Sequence, residues 1–190
     1  GNPVGYYAPG QEPKTDSGTT IILAHKNVTR SEIASIELLD DTIIEVDWEG
    51  RILWEWSVSD HFSELGFDED AKQSLYRDPN TRGFGVHAGD WMHINSVSVL
   101  GPNKHYDAGD QRFHPDNIIW DARESNIIAI ISKRTGEIVW KLGPNYDQEE
   151  VKHIGWIIGQ HHAHLIPKGL SGEGNILIFD NGGWGGYGSP

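Results

Sequence analysis

The sequence predicts an all-β fold, a β-propeller of four-stranded antiparallel blades of which this chain covers only about two to three. Eight Trp, 23 Gly and nine Pro among 190 residues favour many short strands joined by tight turns. Short apolar runs that end in polar groups recur along the chain, as expected for strands. A Gly turn that leads into a Trp-bearing run occurs twice, at Gly50 and again at Gly136, which indicates an internal repeat.

Three similar apolar runs each predict a buried strand: residues 20–27, 117–123 and 175–181. The first two are each followed by a further apolar run, at 42–46 and 127–131, and then by the Gly turn and the Trp-bearing strand. The Trp-bearing segments, 49–56 and 135–142, align Gly on Gly and Trp on Trp.

Residues 90–97 and 161–166 each offer one more strand before the second and third of these runs. The order strand, strand, strand, Gly turn, Trp strand is that of a propeller blade. The sequence therefore predicts four divisions. Residues 1–56 form the last three strands of one blade, and residues 57–92 form an acidic and Gly-rich insertion with a short helix at about 68–76. Residues 93–143 form a complete blade that contains a polar insertion at 100–116, and residues 144–190 form a connecting loop with the first strands of the next blade.

The number of predicted blades is too small for a closed propeller. Propellers usually need about four to eight blades to close, so we expect further polypeptide to complete the ring. Open sheet edges at either end of the chain would favour such pairing.

The charge balance excludes two classes of partner. Twenty-eight acidic and 15 basic residues give a formal net charge of -13, which repels nucleic acid and anionic membrane surfaces. No apolar run approaches the roughly 20 residues needed to span a bilayer, so no membrane insertion is predicted. A site for an anion would need locally concentrated positive groups.

Three polar residues occupy related places in the predicted blades. His93 and His161 open first strands, and Arg123 closes a second strand. First strands line the channel of a propeller, so these side chains can converge. A guanidinium fork with two imidazoles suits a tetrahedral oxyanion, and His can also act as a nucleophile. The alternative is that these groups are structural and hydrogen-bonded within the channel.

His161, His162 and His164 form a cluster that also suggests a metal site. Side chains alternate along a strand, so His162 and His164 share one face and His161 lies on the other. Further metal ligands are not indicated by the sequence. No metal or cofactor is predicted, and His162 and His164 are expected to be packing or hydrogen-bonding groups.

A series of motifs over about residues 20–182 resembles that of the arylsulfotransferase family, in the family's order. The motifs are residues 90–97 (DWMHINSV), Ala122-Arg123, 135–143 (TGEIVWKLG), Gln160-His161 and 179–182 (FDNG). The resemblance implies a six-bladed propeller that moves a sulfuryl group from a phenolic sulfate ester to a phenol without a nucleotide donor. It also favours an extracellular or periplasmic location.

The resemblance assigns roles residue by residue. It implies that His161 is the nucleophile that becomes a sulfo-histidine, and that His93 and Arg123 hold the sulfate oxygens, with Asn95 as a further substrate-binding residue. The chain departs from the family pattern in three places: at Ala122 the family usually has Ser, the insertion at 100–116 is longer, and His162 replaces an acidic or small residue. A further family histidine is expected upstream of Gly1.

Two other functions fit parts of the sequence. A propeller can be a non-catalytic binding or structural scaffold, because the fold does not fix the chemistry. The strand at 135–140 (TGEIVW) also suits a quinoprotein-like redox propeller. Sulfuryl transfer between two phenols would distinguish the enzyme from both.

Overall fold

The computed structural model describes residues 18–79 and 89–182. Its strands form three antiparallel sheets, which confirms the all-β class. The first sheet has the order β1-β2-β3, the second β4-β5-β6-β7, and the third pairs β8 with β9. The strands are β1 (Thr20–Val28), β2 (Leu38–Val46), β3 (Ile52–Ser57), β4 (Ile94–Val99), β5 (Ile118–Ala122), β6 (Ile127–Ile131), β7 (Ile138–Leu142), β8 (Gln160–Leu165) and β9 (Ile176–Asp180).

The four-stranded sheet is the centre of the described structure. Every residue of β5 and β6 is buried, as their apolar sequences favour for all but Asp121. Side chains alternate along β6, so that Ala129 packs in a cluster with Ile43 of the first sheet, whereas Ile130 packs in a second cluster with Leu165 of the third. The central sheet is therefore covered on both faces.

The predicted internal repeat is present in the backbone. Gly50 and Gly136 both adopt left-handed conformations, with φ of 79° and 78°, in the turns that lead into β3 and β7. The pairings of β2 with β3 and of β6 with β7 also each contain a register shift near the same turn. Trp56 of β3 donates a hydrogen bond from Nε1 to the Gly136 carbonyl at 2.9 Å, so the first copy packs on the turn of the second.

Two of the three strands that were predicted to be buried are partly exposed. β5 is buried, but Ile22 on β1 and Leu177 on β9 are 39% and 52% exposed. Within 18–79 and 89–182, each of these strands pairs with one other strand. The sequence pattern of an apolar run does not distinguish a strand with two covered faces from a strand with one.

Helical segments occupy both insertions. The first holds a 3₁₀ segment (Val58–Glu64) and α1 (Glu69–Arg77), where the short helix was predicted. Asp68 caps α1 by accepting a hydrogen bond from the Ala71 N–H at 2.8 Å. The second insertion holds α2 (Lys104–Asp107) and a 3₁₀ turn (Gln111–Phe113). The Gly-rich part of the first insertion, 80–88, lies outside the described residues. No helix in the described ranges is both long and apolar enough to cross a membrane.

Candidate active site

The three sequence-predicted residues lie at strand ends on one side of the central sheet. His93 directly precedes β4, Arg123 directly follows β5, and His161 is the second residue of β8. The Arg123 N–H donates a hydrogen bond to the His93 carbonyl at 3.0 Å. These two residues are therefore neighbours across the β4–β5 pair.

A buried glutamine holds β8 against this end of the sheet. Gln160 is fully buried, and its Nε2 donates hydrogen bonds to the carbonyls of Ala122 at 2.9 Å and Ile127 at 3.1 Å. Its own carbonyl accepts a hydrogen bond from Asn95 Nδ2 at 3.1 Å. Gln160, the residue before His161, is thus bound to Ala122, the residue before Arg123. This contact brings the start of β8 to the end of the central sheet where His93 and Arg123 lie.

The packing of their strands, rather than contacts between their own side chains, brings the three residues together. Within 18–79 and 89–182, the side chains of His93, Arg123 and His161 form no hydrogen bonds with one another. Asn95 uses its amide nitrogen on the Gln160 carbonyl, so the structure shows it supporting β8. Its contact with substrate stays a prediction, as does the convergence of the other three side chains on one ligand.

The His161 imidazole has two polar neighbours at one ring nitrogen. Its Nδ1 lies 3.0 Å from the Gly159 carbonyl and 3.0 Å from Asn181 Nδ2. With a proton on Nδ1, the Gly159 carbonyl accepts it and the lone pair lies on Nε2. The Asn181 amide nitrogen would instead donate to a lone pair on Nδ1, and Asn181 fits the first tautomer only with its amide oxygen turned towards the ring. No hydrogen bond to Nε2 occurs among the described residues. A proton on Nδ1 therefore leaves Nε2 as the nucleophilic nitrogen.

Two histidines of the site have left-handed backbone conformations. His93 has φ of 54° and His162 has φ of 58°, which is uncommon for residues other than Gly. Each lies beside a register shift, between Ile94 and Ser96 in β4 and between His161 and His164 in β8. Such shifts redirect side chains and are frequent near active sites.

The shift in β8 interrupts the alternation around His161, because His161 pairs with Phe179 whereas His164, three residues later, pairs with Leu177, two residues before Phe179. Ala163 is fully buried, whereas the His162 and His164 rings lie beside each other with centroids 4.8 Å apart. His164 Nδ1 is also 3.1 Å from the His162 carbonyl. Among the described residues, no three or more His, Cys, Asp or Glu side chains are arranged to hold a metal ion.

Both His93 and Arg123 have acidic neighbours. His93 Nδ1 lies 2.6 Å from Asp90 Oδ2, and this contact, supported by Asp41 and Glu124, raises the pKa of His93 above its ordinary value. The imidazole is consequently held towards its protonated form. Arg123 Nε lies 3.4 Å from Glu124 Oε1, and its side chain is partly exposed.

A buried carboxylate joins three strands beneath the site. Asp121 is fully buried, and its Oδ2 accepts hydrogen bonds from the Ser96 hydroxyl on β4 and from the Ala163 N–H on β8, the latter at 2.7 Å. Burial raises the pKa of Asp121, while its hydrogen bonds and the nearby His161 and His162 oppose that rise. Asp121 therefore fixes β8 just beyond the candidate nucleophile.

A cleft of about 440 Å³ lies away from this corner. Its lining includes Asn117 and Lys133, next to the opposite end of β5 and of β6. Lys133 is paired with Glu45 at 2.5 Å, so part of the positive charge of this cleft is already compensated.

Several residues at the site were not identified from the sequence. The carboxylates Asp41 and Asp90 bind histidine side chains, and Asn181 contacts the ring of His161. One signal was available, because two adjacent acids, Asp40 and Asp41, interrupt the apolar sequence of β2, where charged residues are rare unless paired.

Comparison with known proteins gives one match. A family model described as Arylsulfotransferase (ASST) matches residues 11–190. No curated protein and no solved structure matches significantly.

Proposed function

Because the chain belongs to the arylsulfotransferase family, we propose that it transfers a sulfuryl group from a phenolic sulfate ester to a phenolic acceptor, with His161 as the nucleophile. The observation that carries this proposal is the contact of His161 Nδ1 with the Gly159 carbonyl at 3.0 Å. That contact favours the tautomer with a lone pair on Nε2, as a nucleophilic imidazole requires.

The sulfate oxygens need positive donors in this acidic protein. Asp90 favours the protonated form of His93, so its Nε2–H can donate to one oxygen. Arg123 offers N–H groups beyond the Nε that faces Glu124. These donors would stabilise the negative charge that the sulfuryl oxygens carry in the transition state.

The proposed reaction has two displacements. In the first, His161 Nε2 forms a bond to sulfur while the bond between sulfur and the donor's phenolic oxygen breaks. In the second, the oxygen of the acceptor phenol attacks the same sulfur, and the N–S bond breaks to restore the imidazole. Covalent catalysis of this kind divides one difficult transfer into two similar steps.

A trapping experiment tests the nucleophile. The native protein is incubated with 4-nitrophenyl sulfate without an acceptor, quenched and digested, and its peptides are measured by mass spectrometry. We expect one sulfuryl adduct on the peptide that contains His161, and none in His161→Asn. Transfer to an added phenol should fall by roughly 10³-fold or more in that variant.

The matched control is His162→Asn. This residue is adjacent, and Asn tolerates the left-handed backbone that His162 adopts. The control should still form the adduct on His161. An adduct that persists in His161→Asn, or transfer rates that are equal in the two variants, would exclude His161 as the nucleophile.

A further inference from the structure

A histidine that the family motifs do not include lies beside this site. His25 is on β1, and β1 contacts β4 of the central sheet. Its side chain is 48% exposed, and its Nε2 lies 2.8 Å from Asp41 Oδ1. Asp41 is fully buried, and its other oxygen accepts a hydrogen bond at 3.0 Å from the N–H of Ile94, the residue after His93.

Two pairs of imidazole and carboxylate therefore share one region. His93 is bound by Asp90, and His25 by Asp41. Each carboxylate also acts on the other histidine, since Asp90 contributes to raising the pKa of His25 and Asp41 to raising that of His93. Because Asp41 binds both His25 and the N–H of Ile94, His25 lies near the backbone of His93, the histidine that is proposed to hold a sulfate oxygen.

We propose that His25, oriented by Asp41, is a further catalytic residue that transfers the phenolic proton. This inference rests on the proposed function, since it concerns the two phenolic oxygens of that reaction. A phenolate leaves more readily if it is protonated as its bond to sulfur breaks, and a phenol attacks more readily if it loses its proton. Neither His161 nor His93 is suited to this task, because the first carries the sulfuryl group and the second is assigned to a sulfate oxygen.

The geometry of the His25–Asp41 pair fits this role. With Nε2 on Asp41, the other ring nitrogen, Nδ1, makes no hydrogen bond within the described residues. Contact with Asp41 is the main cause that raises the pKa of His25, and burial raises the pKa of Asp41. The pair thus retains a proton to a higher pH than an isolated imidazole, so it can donate one near neutral pH.

The proton is conserved over the cycle. As the bond between sulfur and the donor oxygen breaks, His25 Nδ1 gives its proton to that oxygen and becomes neutral. When the acceptor oxygen attacks sulfur, its proton passes to the same Nδ1 and the original imidazolium is restored. The phenol released and the phenol consumed differ only in their aryl groups.

Aryl sulfates whose phenols differ in acidity provide the test. For His25→Ala in the native protein, we expect kcat/KM to fall by about 10²- to 10⁴-fold with methylphenyl sulfate, whose phenolate is a poor leaving group. The loss should be less than about tenfold with 4-nitrophenyl sulfate, because nitrophenolate needs little protonation. Added imidazole should restore part of the lost rate with methylphenyl sulfate.

Two further variants control for structure. His153→Ala removes an exposed histidine from a turn before β8 and should change neither substrate's rate. His25→Gln keeps a polar group beside Asp41 and should show the same dependence on the leaving group as His25→Ala, with a thermal midpoint near that of the wild type. This variant decides the question if His25→Ala does not fold.

The outcomes separate the two proposals. Equal losses with both substrates, without rescue by imidazole, would overturn the role of His25 and leave the proposed function intact. Absence of sulfuryl transfer by the wild-type protein would overturn the proposed function, and the role of His25 with it.

Discussion

Buried aspartates are the unusual residues of this chain. Asp40, Asp41 and Asp121 are each fully buried, although carboxylates almost never are unless paired. Asp41 and Asp121 each accept an N–H from the first strand of another sheet. Asp40 instead accepts hydrogen bonds from Ser59, at 3.1 Å from its N–H and 2.7 Å from its hydroxyl. The candidate active site therefore lies among buried carboxylates whose oxygens accept hydrogen bonds from other segments of the chain.

The buried carboxyl of Asp40 should make the free energy of unfolding depend on pH. Burial raises the pKa of Asp40 from 3.8 to about 6, so the folded state binds its proton more tightly than the unfolded state. The contribution of Asp40 to the free energy of unfolding is therefore largest below about pH 4, and it declines as the pH rises through about 6. Asp40→Asn cannot ionise and should be more stable than the wild type at about pH 8, by about 3 kcal/mol.

Urea unfolding of both proteins between about pH 4 and pH 8 checks this. The advantage of Asp40→Asn should shrink to near zero, or reverse, at the acid end. Asp116→Asn, at an exposed position, serves as the control and should show no such trend. A stability difference between Asp40→Asn and the wild type that is the same at every pH would contradict the assignment.

The sequence predicted the positions of the site residues better than their environments. His93, Arg123 and His161 were placed at strand ends from the repeat, and they lie there. The acidic groups around the site were not predicted, because Asp41 on β2 reaches His25 only after β1 pairs with β2, and Ile94 only after the first sheet packs on β4. Left-handed conformations at His93 and His162 were likewise not predictable from residue type, since they are uncommon for residues other than Gly.

Among the elements, the central strands followed from their sequence and the outer strands did not. β5 and β6 are largely apolar runs, with Asp121 as the exception, and are buried on both faces. β1 and β9 have similar runs, but within the described residues each has one partner strand. Burial at these strands depends on which elements cover them, and a local pattern does not contain that information.

The tight packing of Gly143, the residue after β7, predicts a large cost for adding a side chain there. Gly143 has φ of 84°, and a Cβ there would overlap the Asn126 carbonyl, which already accepts a hydrogen bond from the Tyr146 hydroxyl at 3.0 Å. Gly50 has a similar φ of 79°, but a Cβ there would meet no atom within 4 Å. Gly50→Ala should cost about 1 kcal/mol of unfolding free energy for its backbone alone. Gly143→Ala should cost about 3 kcal/mol or more, because backbone must also move.

Chemical unfolding of the two variants under identical conditions measures the difference. Since both substitutions add one methyl group at a left-handed position, any excess loss in Gly143→Ala reports the contact with Asn126. Equal losses would show that this corner relaxes without cost.

At the scale of the whole molecule, the three sheets differ in how completely they are covered. The four-stranded sheet lies between the other two, whereas the β8–β9 pair packs with one face and exposes Leu177 and Phe179 on the other. Exposed apolar groups of this kind mark interaction surfaces. We therefore expect further polypeptide to cover this face in the native protein, in keeping with the number of blades that a propeller needs.

Two leucines with similar exposure test that expectation. Leu177 on β9 is 52% exposed and Leu170, in the loop before β9, is 59% exposed. Leu177→Asp should lower the thermal midpoint of the native protein markedly, because it would bury a charge against the covering polypeptide. Leu170→Asp should leave the midpoint nearly unchanged. Thermal denaturation, with light scattering to report particle size, makes the comparison, and equal midpoints for the two variants would show that β9 is not covered.

The contacts of Asp41 and Asp121 bear on which residues of such a chain can be substituted. Each joins its own sheet to the next by binding a backbone N–H, of Ile94 in one case and of Ala163 in the other. Every residue except proline has that N–H, so the receiving position can change its side chain without losing the joint. The two aspartates lie on β2 and β5, which are different positions of the repeat, so the same kind of joint is built from different strands. Substitutions at the receiving positions are therefore less constrained than substitutions of the aspartates themselves.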